Sequence, residues 1–161
     1  MAQPFQIIIY TDGSSKGNPG PGGYGVVMLA LQNGKLVKRQ ELAEGFFKTT
    51  NNRMELLAVI VALEALKGEG VEATLYSDSQ YVINAITKGW ALNWQKTNFK
   101  DKKNPDLWKR FLQVNPRHKV RYMWVKGHAG NPENERCDRL ATSAADAPTT
   151  RDVAFENGIN D

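Results

Sequence analysis

The sequence contains a single cysteine, Cys137, among its 161 residues, and it has no long apolar run. One cysteine cannot form an internal disulfide, and a chain without disulfides is typical of a reducing compartment. No apolar stretch approaches the roughly 20 residues of a membrane-spanning helix, and the start lacks the basic and then apolar pattern of a signal peptide. These absences argue against a disulfide-rich secreted domain and predict a soluble cytoplasmic protein.

Histidine is also scarce, and its scarcity limits the metals that the chain can bind. There are two histidines, His118 and His128, and no cluster of cysteine and histidine, so a zinc site is not expected. The formal net charge is +4, and the pI is near 9.2. This mild basic excess is compatible with a polyanionic partner such as nucleic acid but does not demonstrate one.

The first strand and the glycine-rich stretch behind it are the most informative part of the sequence. Phe5 to Tyr10 is an almost continuous run of apolar residues, which predicts a strand buried on both faces in the middle of a sheet. Residues 13–23 include five glycines and two prolines, and we expect a loop too kinked for helix or strand. Asp12 therefore stands where a buried strand ends.

The remaining pattern predicts an α/β fold with one mixed five-stranded sheet and helices on both faces. Strands 1 to 3 are expected to be antiparallel, and strands 4 and 5 to run parallel to strand 1. After a connection over residues 46–52, the best helix in the sequence is expected. The predicted elements are strands 24–31, 36–45, 71–77 and 118–125, and helices 53–67, 79–86, 107–114 and 131–147. We expect one domain, residues 1–147, followed by a poorly ordered polar tail, residues 148–161.

Four acidic residues stand out by their positions, although each has a structural alternative. Asp12 and Asp78 end the first and fourth predicted strands, Glu55 lies in the first turn of the long helix, and Asp138 lies in the last helix. Asp12 could be an ordinary turn residue, and Asp78 could cap the helix that follows it. Glu55 stands three residues after Asn52, as in a capping box. Asp138 could be a solvated residue of an amphipathic helix.

The expected topology favours a shared site over these alternatives. If strands 1 and 4 are parallel neighbours, Asp12 and Asp78 leave the sheet at the same edge, where open α/β sheets bind ligands. Clustered carboxylates repel one another and raise each other's pKa values, and a hard divalent cation relieves that repulsion. Ligands that offer oxygen alone suit Mg²⁺ or Mn²⁺. The sequence therefore predicts a metal site at this edge of the sheet.

Four motifs occur in the chain in this order: T-D-G-S-x-x-G-N-P-G-P-G-G-Y-G, T-T-N-N-R-M-E-L, D-S-Q-Y-V and W-V-K-G-H-A-G-x-P-E-N-E-R-C-D. Together they resemble type 1 ribonuclease H of the stand-alone bacterial kind, from about Ile7 to Ala145. The resemblance implies a ribonuclease H-like fold and a monomeric endonuclease. It would cut the RNA strand of RNA–DNA hybrids with two Mg²⁺ ions, which Mn²⁺ could replace, and leave 5′-phosphate and 3′-hydroxyl ends.

The same resemblance assigns roles to individual residues. The residues that match the family's metal-binding acids are Asp12, Glu55, Asp78 and Asp138, and His128 matches its mobile catalytic histidine. His118 has no such context and is expected to be structural. The residues expected to contact the hybrid are Ser15, Asn18, Lys48, Thr50, Asn51, Asn52, Gln80, Trp90 and Trp94. Thr50 and Asn51 could instead be helix caps.

Two parts of the expected substrate surface have a more detailed interpretation. Residues 48–50 together with Arg53 look like the family's pocket for a phosphate of the DNA strand. The segment from Trp90 to Asp106 interleaves aromatic residues with lysines, as in the basic protrusion of the bacterial branch, although it is shorter here. Integrases and other nucleases of this fold, a catalytically inactive hybrid-binding module, and a Mg²⁺-dependent phosphatase are the alternatives.

Overall fold

A computed structural model describes residues 5–161; residues 1–4, the start of the predicted domain, lie outside the described residues. The strands are β1 (Gln6–Ser15), β2 (Gly20–Gln32), β3 (Lys35–Thr49), β4 (Glu72–Ser77) and β5 (Lys119–Trp124). The helices are α1 (Asn51–Glu64), α2 (Gln80–Thr87), α3 (Trp90–Gln95), α4 (Pro105–Val114), α5 (Pro132–Asp146) and α6 (Val153–Glu156).

The five strands form one mixed sheet in the order β3-β2-β1-β4-β5. The β1–β2 and β2–β3 pairs are antiparallel, and the β1–β4 and β4–β5 pairs are parallel. A Cβ on Gly22 would contact the side chain of Met54 in α1, whereas a Cβ on Gly23 would contact Ala141 in α5. Because successive strand residues point to opposite faces, α1 and α5 cover opposite faces of the sheet. The predicted fold class is confirmed.

The prediction that residues 13–23 form neither helix nor strand holds only for residues 16–19 and is wrong for the rest. β1 continues to Ser15, β2 begins at Gly20, and the two strands pair in continuous register from Asp12 opposite Gly25 to Ser15 opposite Gly22. The glycines serve close packing here, because a Cβ on Gly25 would lie 2.3 Å from the carbonyl oxygen of Cys137 in α5. A side chain at this position would push α5 away from the sheet.

The predicted connection over residues 46–52 is also wrong for most of its length, because β3 extends to Thr49. The side chain of Thr50 accepts a hydrogen bond from the Arg53 amide and caps α1, so Asn52 is not the cap. α1 ends at Glu64, three residues before the predicted end. Ten of its 14 residues are buried, as its apolar character on nearly every face predicts.

The C-terminal segment is ordered, which corrects the expectation of a poorly ordered tail. The Phe47 amide donates to the carbonyl of Thr150 at 2.9 Å, and Asp152 is buried against α1. Both carboxylate oxygens of Asp152 accept from the guanidinium of Arg53, at 2.7 Å and 3.0 Å. A buried arginine needs such partners, and the tail supplies one of them.

The described chain has no helix that combines the length and the apolar character needed to cross a membrane. His118 accepts a hydrogen bond at Nδ1 from the amide of Val71, so it has the structural role predicted for it. Asn131 caps α5 by accepting from the amides of Glu133 and Asn134, which confirms the predicted start of that helix.

Candidate active site

The parallel pairing of β1 with β4 brings two of the predicted acids to one edge of the sheet. Thr11 of β1 is paired with Ser77 of β4, and Asp12 and Asp78 are the residues that follow them. Ser79 caps α2 by accepting from the Val82 amide, so Asp78 is free of that capping role. The juxtaposition predicted from the strand pattern is confirmed.

Gly13 lets the N-terminal turn of α1 reach the same edge. A Cβ on Gly13 would lie 2.3 Å from the backbone nitrogen of Glu55 and 2.4 Å from the carbonyl carbon of Met54. No other residue type fits between β1 and α1 at this distance, and the Glu55 carboxylate is thereby placed beside Asp12. The amide of Gly13 donates to Oδ1 of Asp12 at 2.9 Å and fixes that side chain.

Three carboxylates form the centre of the site. Asp12, Glu55 and Asp78 each offer an oxygen, and these atoms lie within 4.8 Å of one another. Asp12 and Glu55 are buried, and Asp78 is half-buried. They line a cavity of about 420 Å³ together with Ser14, Asn51, Ser79, Gly127, His128 and Asp138. The acids predicted from four separate motifs therefore face one cavity.

The burial of this cluster disfavours its negative charge. Burial is the main cause that raises the pKa of Asp12 to about 7, and the charges of Asp78 and Asp138 raise it further. Burial and the neighbouring Asp12 also raise the pKa of Glu55 well above its usual range. Oε2 of Glu55 is buried and has no hydrogen-bond partner among the described residues. An unpartnered carboxylate oxygen in an all-oxygen cluster fits a hard divalent cation.

Asp78 is held in place by Trp124, at the end of β5, and by Gly127, in the loop that follows. The indole Nε1 of Trp124 donates to the backbone carbonyl of Asp78 at 3.1 Å. A Cβ on Gly127 would lie 2.6 Å from Oδ2 of Asp78, so only glycine allows the loop to pass so close to the carboxylate. This role of Trp124 could not be predicted from the sequence, because nothing in the strand pattern shows which way its indole points.

Asp138 and His128 lie at the same cavity but outside the cluster of three close oxygens. Both are lining residues, and Asp138 is half-buried on α5. Its charge acts on Asp12 and on Asp78. His128 is exposed, with a backbone φ of 56° between Gly127 and Gly130. The structure thus brings all five predicted catalytic residues to one cavity and places three of them in closest contact.

Comparison with known proteins shows the family of this chain. The sequence model of the RNase H family matches residues 4–146. This chain belongs to the ribonuclease H family. It is 57% identical over 148 residues to the Ribonuclease H of Desulforamulus reducens, an alignment that covers 89% of each protein. Family membership identifies the chain as a nuclease, and the type 1 resemblance inferred from its motifs is confirmed.

Solved structures of ribonucleases H have the same fold. LC9-RNase H1, described as a type 1 RNase H with the type 2 active-site motif, superposes with a TM-score of 0.81 at 34% identity. The match covers 92% of this chain and 75% of that protein. LC11-RNase H1, solved in complex with an RNA/DNA hybrid, superposes with a TM-score of 0.60 at 26% identity, covering 87% and 96%.

The predicted hybrid-contacting residues of this ribonuclease H lie on several elements. Asn51 lines the cavity, and Oδ1 of Asn18 accepts from its amide at 3.0 Å. Lys48 is exposed at the end of β3, and Gln80 is exposed at the start of α2. Thr50 is the cap of α1, an alternative that the sequence had left open. Ser15 and Asn52 are half-buried.

The two tryptophans of the basic segment differ in exposure. Trp90 is 43% exposed, and the ammonium of Lys88 lies 5.3 Å from the centre of its ring. Trp94 is half-buried and packs edge-on against Trp108, with ring centres 5.8 Å apart. Trp90 therefore offers a freer stacking surface than Trp94.

Arg53 cannot serve in the predicted phosphate pocket, which is a correction. All five N–H donors of a guanidinium are engaged here by Asp106, Asp152 and Asn104, at 2.7 Å to 3.1 Å. The side chain is 2% exposed. Thr49 is likewise committed, because its hydroxyl donates to Asp152 at 2.7 Å. Within residues 48–50, Lys48 and Thr50 remain as candidates for a phosphate contact.

The raised pKa values make the stability of the metal-free enzyme depend on pH. The folded pKa of Asp12 is about 7, against 3.8 for an unperturbed aspartate, so the folded state holds a proton that the unfolded state has lost between these values. Stability without metal is therefore expected to fall as pH rises from 5 to 8, by about 2 kcal/mol.

Thermal unfolding in EDTA at pH 5 and pH 8 measures this dependence. Adding Mg²⁺ at pH 8 should restore stability, and Asp12→Asn should weaken the dependence, since it removes one of the two buried carboxylates whose pKa values are raised. A metal-free stability that stays constant or rises between pH 5 and 8 would contradict this account of the cluster.

Proposed function

We propose that this ribonuclease H is an endonuclease that hydrolyses the RNA strand of RNA–DNA hybrids with two Mg²⁺ ions. Its products would carry 5′-phosphate and 3′-hydroxyl ends, and Mn²⁺ could replace Mg²⁺. The observation that carries the proposal is the buried cluster of Asp12, Glu55 and Asp78 at the sheet edge, with an unpartnered oxygen on Glu55. The hybrid bound to the similar LC11-RNase H1 supports the choice of substrate.

The acids of the cavity would hold the metal. The residues that would supply its oxygen ligands are Asp12, Glu55 and Asp78, which lie in closest contact, and Asp138, which lines the same cavity. When bound, the ions supply an activated water and neutralise charge on the phosphate and on the leaving oxygen. The fixed backbone around Gly13 and the Trp124 contact keep the carboxylates in place, which limits the reorganisation needed for reaction.

The other residues of the site would recognise the hybrid and handle protons. His128 is exposed at the cavity rim and can accept or donate a proton near the phosphate. Small polar groups beside the acids can bond the 2′-hydroxyl, the group that distinguishes RNA from DNA. The residues proposed for hybrid contact are Ser15, Asn18, Lys48, Thr50, Asn51, Asn52, Gln80, Trp90 and Trp94.

We further propose that the enzyme acts as a cytoplasmic monomer without an obligate protein partner. In this proposal residues 1–147 form the single catalytic domain. The segment 148–161 packs on it through Asp152 rather than forming a domain of its own. Gel filtration coupled to light scattering over a range of protein concentrations tests the monomer directly. A concentration-dependent rise in mass would count against it.

Replacing His128 with alanine should slow turnover by about 10²-fold or less, because its proposed part is proton handling and not assembly of the acids. Single-turnover cleavage of a hybrid at saturating enzyme measures the effect. His118→Ala is the matched control for activity, since that histidine contacts the backbone of Val71 and lies outside the cavity. A loss as complete as that expected for Asp12→Asn would contradict this division of roles.

Analysis of the product ends tests the proposed chemistry. We expect the cut RNA, still annealed to its DNA strand, to be extended by a DNA polymerase without prior phosphatase treatment, because it ends in a 3′-hydroxyl. Cleavage should stop in EDTA and return with Mg²⁺ or Mn²⁺. Products that end in a 2′,3′-cyclic phosphate, or cleavage that persists in EDTA, would overturn the proposed mechanism.

A further inference from the structure

The last residues of the chain contact Thr50, one of the two remaining candidates for a phosphate contact. The hydroxyl of Thr50 donates a hydrogen bond to Oδ2 of Asp161. Oδ1 of the same carboxylate accepts from Nδ2 of Asn104 at 2.7 Å. The amide of Asn104 donates to the carbonyl of Asn160 at 2.7 Å. A carboxylate of the protein itself is thus held at the N-terminus of α1 by donors from two separate elements.

The donors involved have no capacity left for another anion. A threonine hydroxyl has one proton, and that of Thr50 is given to Asp161 while the oxygen accepts from the Arg53 amide. The two N–H groups of the Asn104 amide go to Asp161 and to the hydroxyl of Tyr81. Because Asn104 is fully buried and its Oδ1 accepts from Arg53, it cannot turn to offer another donor.

From these contacts we infer that the Asp161 carboxylate occupies a phosphate position in the free enzyme, and that a hybrid must displace it to reach Thr50. The inference rests on the proposed function, which assigns a DNA-strand phosphate to Thr50. A carboxylate and a phosphate oxygen compete for the same donors, and both are favoured at a helix N-terminus. The contact of Asp161 with Thr50 is therefore autoinhibitory, because it weakens hybrid binding.

The segment can leave without unfolding the rest of the tail. Gly158 has a φ of 97°, and the contacts before it, at Asp152 and in α6, are independent of Asp161. Beyond Gly158, release would break three further hydrogen bonds. The Ile159 amide donates to the carbonyl of Ala154, and Nδ2 of Asn160 donates to the carbonyl of Lys102. The carbonyl of Asn160 accepts from the amide of Asn104. Release of residues 159–161 would leave the buried Arg53–Asp152 pair intact.

Hybrid affinity in EDTA, measured by fluorescence anisotropy at low salt, tests the inference without any contribution from cleavage. Asp161→Ala should lower the Kd by about 3- to 10-fold, because the hybrid no longer has to displace the carboxylate before it binds. Glu156→Gln is the matched control: it removes one negative charge from the same segment, but Glu156 pairs with Arg151 on the surface. Its Kd should stay close to that of the parent.

A Thr50→Val background and a direct probe of release complete the test. The gain from Asp161→Ala should be largely lost with Thr50→Val, since that residue can no longer donate to either anion. In ¹⁵N spectra of the parent enzyme, added hybrid should shift the amides of Asn160 and Asp161 towards random-coil positions while that of Asp152 stays unchanged.

An unchanged or weaker Kd for Asp161→Ala, or unmoved amides at saturating hybrid, would overturn the inference while leaving the proposed function standing. Failure of every variant to bind or cleave a hybrid would overturn both.

Discussion

Asp12→Asn is expected to reduce hybrid cleavage by at least about 10³-fold while leaving the fold intact. Asp12 lies in the cluster of three carboxylates, and its oxygen lies within 4.8 Å of those of Glu55 and Asp78. An amide keeps the shape of the side chain but loses the charge and one of the two acceptor oxygens. Metal binding would be impaired at all the acids at once, because they act as a unit.

Single-turnover cleavage measures this loss, and unfolding in EDTA shows whether the fold survives. We expect the variant to be more stable than the parent without metal at pH 8, since it removes a charge whose burial is unfavourable. Asp146→Asn is a matched control, because Asp146 pairs with Lys16 on the surface at the end of α5. Cleavage by Asp12→Asn within tenfold of the parent rate would contradict the central role of this residue.

Arg53→Met is expected to lower the free energy of unfolding by about 3 to 5 kcal/mol. Its guanidinium is buried and holds Asp152 of the tail and Asp106 of α4 against α1, at 2.7 Å to 3.0 Å. Methionine fills much of the volume but leaves the buried Asp152 carboxylate without its cation. The loss therefore combines a missing ion pair with an uncompensated buried charge.

Denaturant unfolding at pH 7 measures the change. Arg110→Met is the matched control, since Arg110 pairs with Glu64 where both side chains are exposed, and it should cost less than about 1 kcal/mol. Adding Asp152→Asn to Arg53→Met should recover part of the loss, because it removes the orphaned charge. A cost for Arg53→Met no larger than that of the Arg110 control would show that the tail is not anchored in this way.

The strand and helix pattern was sufficient to predict the sheet and the convergence of the acids. Asp12 and Asp78 each follow an apolar strand directly, and parallel strands that are neighbours end at one edge. The long helix begins near that edge because its predecessor, β3, ends there. These relations depend on local periodicity and on general rules of topology, so they can be inferred from a sequence.

The errors arose where long-range packing overrides local preference. Glycine and proline at residues 13–23 indicate a loop, yet Gly22 and Gly23 lie in β2, where α1 and α5 pack closely against that strand. The polar composition of the tail indicated disorder, but Asp152 in the tail pairs with the buried Arg53, which lies 99 residues earlier in the chain. Neither requirement is visible without knowing which elements meet.

The same limit applied to individual side chains. Arg53 was expected to contact phosphate because residues 48–50 together with Arg53 resemble the family's phosphate pocket, but its side chain turns inward to two carboxylates. The contacts of Trp124 and Asp161 were not predicted, although Trp124 lies in a predicted strand and begins one of the four motifs. Their contacts with Asp78 and Thr50 depend on side-chain directions that only the folded structure specifies.

Cleavage of an end-labelled RNA–DNA hybrid with Mg²⁺, beside single-stranded RNA, duplex RNA and duplex DNA, tests the central claim most directly. The account predicts internal cuts in the RNA strand of the hybrid alone, dependent on metal and absent in Asp12→Asn. Cutting of the other duplexes at a similar rate, or hybrid binding without cutting by the parent enzyme, would contradict it.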